Sequence, residues 1–181
     1  MTAQRHGIDA RAEGVWAIEG LGADGPDPQL REKLMLFGQF VGDWDIVKAW
    51  YRRPDGTVVW QDGEVHFGWI LGGKAVQDVW MTHRGDPPRP VPVGTTVRFY
   101  DPKTDTWSST WISPSQGLVQ RFVGRHVGEG IVLETINAEG FPERWMFSDI
   151  TKDSFRWHSE ETRDGGKSWI RTEEMHIRRR A

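Results

Sequence analysis

From residue 43 to residue 178 the chain reads as ten short runs of alternating apolar and polar side chains, with no stretch between them long enough for a helix. Alternation with a period of two is the mark of a strand, because successive side chains point to opposite faces. Turn chemistry closes each run. Arg53-Pro54-Asp55-Gly56 supplies a preset φ at proline and a left-handed conformation at glycine. Leu71-Gly72-Gly73, Asp101-Pro102-Lys103-Thr104-Asp105, Ser113-Pro114-Ser115-Gln116-Gly117, Gly128-Glu129-Gly130, Ala138-Glu139-Gly140 and Thr151-Lys152-Asp153 follow in order. Strands joined by tight turns are antiparallel. A long meander removes its edges best by closing on itself. The predicted fold is therefore all-β: a single antiparallel up-and-down β-barrel of about ten strands. The strands are expected at 43–52, 57–70, 74–83, 95–100, 106–112, 118–126, 131–137, 142–150, 154–162 and 168–178.

Before the barrel, Asp27 reads as an N-cap with Pro28 at the first helical position. Leu30, Leu34, Phe37 and Phe40 then share one face, which predicts a short N-terminal helix that caps one barrel end and stops around Gly38 to Gly42. Residues 1–25 are small, charged and glycine-rich, and read as a flexible or loosely docked arm ahead of a barrel domain at 26–181. Residues 84–94, RGDPPRPVPVG, carry four prolines. They read as a stiff loop, either a flap over one barrel mouth or a plain long connection.

Composition removes several classes of function. Net charge is −3 and both signs are spread along the chain, so no nucleic-acid groove is implied; Arg178-Arg179-Arg180 reads as a solvated tail. There is no cysteine, which excludes disulfides, thiolate nucleophiles and cysteine-ligated metals. No run approaches the length of a membrane span. The expectation is a soluble, cytoplasmic protein, monomer or homodimer, with no nucleic acid and no membrane as partner.

Eleven tryptophans stand against two tyrosines. Indoles recurring on many strands can line one enclosed space, each with an N–H that wants a partner when buried. They can equally be ordinary core and rim filling. Trp80, Trp111 and Trp145, on three different strands, are the preferred liners of a ligand chamber, with Gln77, Gln120 and Phe122 beside them. The segment 162–169, TRDGGKSW, matches an Asp-box hairpin, whose role is local: Asp164 accepts turn N–H groups, Gly166 permits the turn and Trp169 packs beneath.

The ordered signals Phe40-Val41-Gly42-Asp43-Trp44, Ile70-Leu71-Gly72-Gly73-Lys74, Tyr100-Asp101 with Trp107, Phe155-x-Trp157 and the Asp164 hairpin resemble the calycin superfamily of lipocalins and fatty-acid-binding proteins. More closely, the chain resembles a bacterial lipocalin-like family of unknown function, over about residues 30–178. The resemblance implies a barrel with a central cavity and a structural Trp44 packed under the incoming helix. It supplies no catalytic residues.

The chain contains no HExxH, G-x-S-x-G, P-loop or GxGxxG. The candidate acid–base residues are Glu64 and His66, which share a strand face; His158 and Glu160, which repeat that spacing; and His126. His158 and Glu160 have parity opposite to Phe155 and Trp157, and parity alone leaves open which face is inside. His83 ends the third strand and His176 reads as outward. No His-x-His spacing suggests zinc or non-haem iron. The expectation is a cofactor-free protein that binds a small, largely apolar molecule of aromatic, polyketide or terpenoid type. The alternatives are a cofactor-independent isomerase, cyclase or lyase, and a haem-binding barrel using one axial histidine.

Overall fold

The computed structural model describes residues 21–181. A helix, α1 (Arg31–Gly38), precedes ten strands: β1 (Gly42–Arg52), β2 (Val58–Ile70), β3 (Ala75–Arg84), β4 (Arg89–Asp101), β5 (Thr106–Ser113), β6 (Leu118–Val127), β7 (Gly130–Ile136), β8 (Pro142–Ser148), β9 (Ser154–Glu161) and β10 (Ile170–Arg179). Each strand pairs with its sequence neighbour, and β10 closes on β1, so the sheet is one closed antiparallel barrel. The chain therefore leaves no long sheet edge.

One end is plugged. Leu34 and Phe37 of α1 are fully buried and Phe40 is nearly so. Phe37 packs on Trp107 at 4.8 Å and Phe40 on Phe155 at 4.7 Å between ring centroids. Each such side chain contributes about 1.5–3 kcal/mol by leaving water. Trp44, fully buried, donates its indole N–H to the Phe40 carbonyl at 2.6 Å. Arg179 lies over the Trp44 ring at 4.0 Å and donates to the carbonyls of Val41 and Gln39 at 3.0 and 2.9 Å. The last strand thereby fastens the helix exit to the first. At Gly38 an added Cβ would lie 2.4 Å from the Trp69 ring, so the helix approaches β2 only because that position has no side chain.

The helix begins later than its sequence signals predict. Asp27 caps a turn, accepting the Gln29 N–H at 2.9 Å, and residues 28–30 form that turn before helical backbone starts at Arg31. Of the N-terminal arm, residues 1–20 lie outside the described residues. Ala23 is not free: it forms a β-bridge to Trp69, with its N–H 2.9 Å from the Trp69 carbonyl.

The proline-rich segment is loop only at its tip, residues 85–88, and strand from Arg89 onward. β3 runs to Arg84 and β4 starts at Arg89, passing through Pro90 and Pro92 with His83 and Met81 opposite them. Pairing with β5 starts only at Thr95, so residues 89–94 have a ladder on one side alone. A proline there forfeits no second ladder, as on an edge strand. The flap over the mouth is replaced by a projecting hairpin.

The 162–169 hairpin is built as its motif predicts. Asp164 accepts from the Thr162 and Ser168 hydroxyls and from the Ser168 N–H, all within 2.9 Å. Bonds from Ser168 first, then Thr162, hold its carboxyl down at about 2. Trp169 lies with its ring 3.9 Å from the Arg144 guanidinium, on the barrel exterior.

Candidate functional site

Ten strands enclose more width than eight, and the aromatic plug fills only one end of it. Above the plug the barrel holds a cavity of about 730 Å³, within the range of small-molecule pockets. Parity decides its wall. In β9 the side chains facing the cavity are Phe155, Trp157 and Ser159; in β8 they are Glu143, Trp145 and Phe147. The tryptophan face is thus the inner face.

Trp80, Trp111, Trp145 and Trp157 line the cavity and touch in sequence. Their ring centroids are separated by 6.1, 5.9 and 5.2 Å along that series. The Trp111 ring lies flush on bare backbone, because at Gly94 an added Cβ would sit 2.4 Å from it. Gln120 also lines the cavity. Phe122 is buried on the same face and backs Trp145 at 4.2 Å. Gln77 does not reach the cavity: β3 presents Asp78, Trp80 and Arg84 inward, so Gln77 points outward and bonds the Thr95 hydroxyl at 2.9 Å. Of the remaining described tryptophans, Trp44, Trp69 and Trp107 belong to the buried core, and Trp60 is exposed.

The nominated acid–base residues stand outside the chamber. Glu64 and His66 alternate with the inward Val65 and Phe67, and form an outer cluster with Asp43 and Arg180. Burial draws the His66 pKa down, but bonds from Asp43 and Glu64 outweigh it and hold it above its ordinary value. His158 and Glu160 also project outward. Glu160 accepts from Arg144 at 2.8 Å and from Arg171 at 3.1 Å, which keeps its carboxyl low although burial opposes this. His158 is lowered by burial and then by Arg171. His126 is exposed at the end of β6. His83 and His176 pair with outer carboxylates. These histidines sit on outward parity or at a strand end, so they decorate the barrel rather than line it.

The interior polar groups are others. Glu143 accepts the Trp145 indole N–H at 2.8 Å, the Ser159 hydroxyl at 3.0 Å and the Gln120 amide at 2.9 Å. Glu173 of β10, paired with Ser159 across the ladder, lines the same wall. Burial first, and the Glu143 charge second, push its carboxyl up to about 8. Deeper in, Asp78 and Arg98 form a buried ion pair at 4% and 2% exposure. The guanidinium lies among the rings of Phe37, Phe67 and Phe147. Two buried donors of the wall, Gln61 Nε2 and Arg98 Nε, find no acceptor among the described residues. Glu143 and Glu173 share parity with Trp145 and Met175, so an acid on the apolar face was the signal in the sequence that marked them.

Among the described residues, no cluster of three or more His, Asp or Glu side chains is arranged to hold a metal ion, and no helix is long and apolar enough to cross a membrane. Among the described residues, no histidine lines the chamber.

No protein-family model matches the chain, and no curated protein matches it. Solved structures do. The crystal structure of Rv2717c from M. tuberculosis superposes with a TM-score of 0.57 at 14% identity, covering 86% of this chain and 99% of that one. The S-type phycobiliprotein lyase CPES from Guillardia theta superposes with a TM-score of 0.54 at 11% identity, covering 80% of this chain and 90% of that one. The fold is calycin-like. At these identities the likeness concerns the barrel alone, and the chamber chemistry has to be read from its own residues.

Proposed function

We propose that this barrel binds a small, largely apolar aromatic molecule in its tryptophan-walled chamber. The observation that carries the reading is the contiguous series Trp80, Trp111, Trp145 and Trp157 on the wall of a cavity of about 730 Å³. Indoles used only as filling close up a core; these border open volume. Flat rings suit offset or edge-on contact with the series. Glu143, Gln120, Ser159 and the unpartnered Gln61 amide offer a few fixed polar contacts for orientation. The barrel likeness to a phycobiliprotein lyase is consistent with small-molecule binding and says nothing of the ligand's chemistry.

Native mass spectrometry of the protein purified from cells is the direct test, with a bound small molecule as the expected result. Titration with a naphthalene probe should quench tryptophan emission. Trp111→Ala or Trp145→Ala is expected to remove about 1–3 kcal/mol of probe affinity where the ring touches the probe. Trp→Phe at the same sites keeps most of the apolar contact and separates the ring from its N–H. Unchanged affinity in the Ala variants at Trp80, Trp111 and Trp145, with stability lost, would reduce the series to core packing.

A second reading, a cofactor-free proton-transfer enzyme, is favoured by one observation. Glu173, held near 8 by burial and by Glu143, has the pKa of a general acid at neutral pH. This pair takes the place of the histidine–glutamate pairs on the outer face.

A further inference from the structure

We infer that the ligand carries a positive charge: the chamber is built for a protonated aromatic amine or a comparable nitrogen cation, its ring against the indoles and its nitrogen between Glu143 and Glu173. The inference rests on the aromatic-chamber reading and adds the ligand's charge to it.

The first argument is the charge balance of the wall. Asp78 and Arg98 neutralise each other in a direct ion pair. Glu139 is turned to Arg163 outside the barrel at 3.1 Å. Arg52 and Arg84 are exposed at the rim, and Arg52 is bonded to the Gly56 carbonyl. Among the described residues, Glu143 and Glu173 are left on the inner wall without a basic partner. The donors on Glu143 are all neutral: an indole, a hydroxyl and an amide. Two carboxyls on one chamber wall, joined through Ser159 and with the charge of Glu143 felt at Glu173, do not both ionise cheaply unless a cation comes between them.

The second argument is independent of the first. A cation over an indole face is attracted by the ring quadrupole, tryptophan most of all and more strongly when water is excluded. Trp145 holds its N–H on Glu143, which fixes the ring next to the carboxyl pair, and Trp157 lies edge-on to Trp145 at 5.2 Å. An acidic pair framed by indoles favours an organic cation over a neutral ring of the same size.

Binding then couples to a proton. Tyr51 stands opposite Glu173 on β1, and Arg52, Glu143 of β8, Glu139 of the turn before β8 and Arg84 of β3 border the same chamber. Of these, Glu143 is the group that holds the proton on Glu173. An incoming ammonium reverses that effect, and Glu173 releases its proton to solvent as the ion pair forms.

The test compares two probes that differ in one group, 2-(1-naphthyl)ethylamine and 2-(1-naphthyl)ethanol, by tryptophan quenching and by calorimetry in two buffers of different ionisation enthalpy. The amine is expected to bind about tenfold or more tightly than the alcohol at neutral pH. Its affinity should rise between about pH 6 and pH 8 as Glu173 becomes easier to ionise, with proton release at the lower pH. Glu143→Gln/Glu173→Gln should erase the preference, so that amine and alcohol bind alike, and Glu173→Gln alone should abolish proton release. Circular dichroism establishes that the variants are folded. Equal binding of amine and alcohol, or a preference that survives the double variant, overturns the inference and leaves the chamber standing. Failure of both probes to bind overturns the chamber reading as well.

Discussion

Replacing Glu173 with Gln is expected to stabilise the folded protein, by an amount that grows with pH. An exposed glutamate titrates near 4.5, whereas burial and Glu143 hold Glu173 near 8. Between those values the unfolded chain has lost a proton that the folded chain still binds, so stability falls as pH rises through the window. Below about pH 4 both states are protonated and no penalty exists; above about pH 8 the penalty is complete. Its size is on the order of 5 kcal/mol, at about 1.4 kcal/mol for each tenfold in proton affinity. Gln copies the protonated carboxyl in shape and has nothing to titrate. Urea unfolding of both proteins at pH 4, 6 and 8 should therefore give midpoints that coincide at the lowest pH and separate progressively above it. A gap independent of pH would mean that Glu173 is hydrated and titrates normally. Glu143→Gln should shrink the gap, because it removes the repulsive part of the effect.

The second large effect concerns Asp78 and Arg98. Each is almost fully buried, and the guanidinium sits among three phenyl rings at the chamber floor. Removing one partner strands the other charge in a poorly solvated place, which costs about 3–5 kcal/mol. Asp78→Leu and Arg98→Met should each lower stability by that order. The double variant, with no charge left to strand, should recover most of the loss and show a coupling of several kcal/mol in a double-mutant cycle. Additive losses would mean that water or a neighbouring group already solvates the free partner. Since both residues also line the cavity, probe affinity in the folded double variant reports whether the floor takes part in binding.

Much of the fold was legible because it is local. Strand alternation, the turn at Arg53-Pro54-Asp55-Gly56 and the Asp164 hairpin are decided by residues a few positions apart, and closure follows from the need to cover sheet edges. Where local rules misled, a neighbour intervened. Asp27 capped a turn ahead of the helix rather than the helix itself. The prolines at 90 and 92 read as loop because the sequence does not reveal that this part of β4 has a ladder on one side only.

The sequence by itself determined the barrel, its order of strands and which residues share a face with which. It could not tell the inside from the outside of that sheet, because alternation is symmetric: Phe155-Trp157-Ser159 and His158-Glu160 are equally good stripes until the sheet curls. Only the tertiary structure decided that the tryptophan stripe faces inward. That choice turned His66, Glu64, His158 and Glu160 out to their arginine and carboxylate partners, and turned Glu143 and Glu173 in. The physical reason is that large apolar rings are covered at the least cost on the concave side of a closed sheet, whereas the charged groups find their partners Arg144, Arg171 and Arg180 on the convex side. Two acids that share the rings' parity are carried inward with them. Their meeting, on either side of β9, is set by the register of three neighbouring strands and not by any one of them.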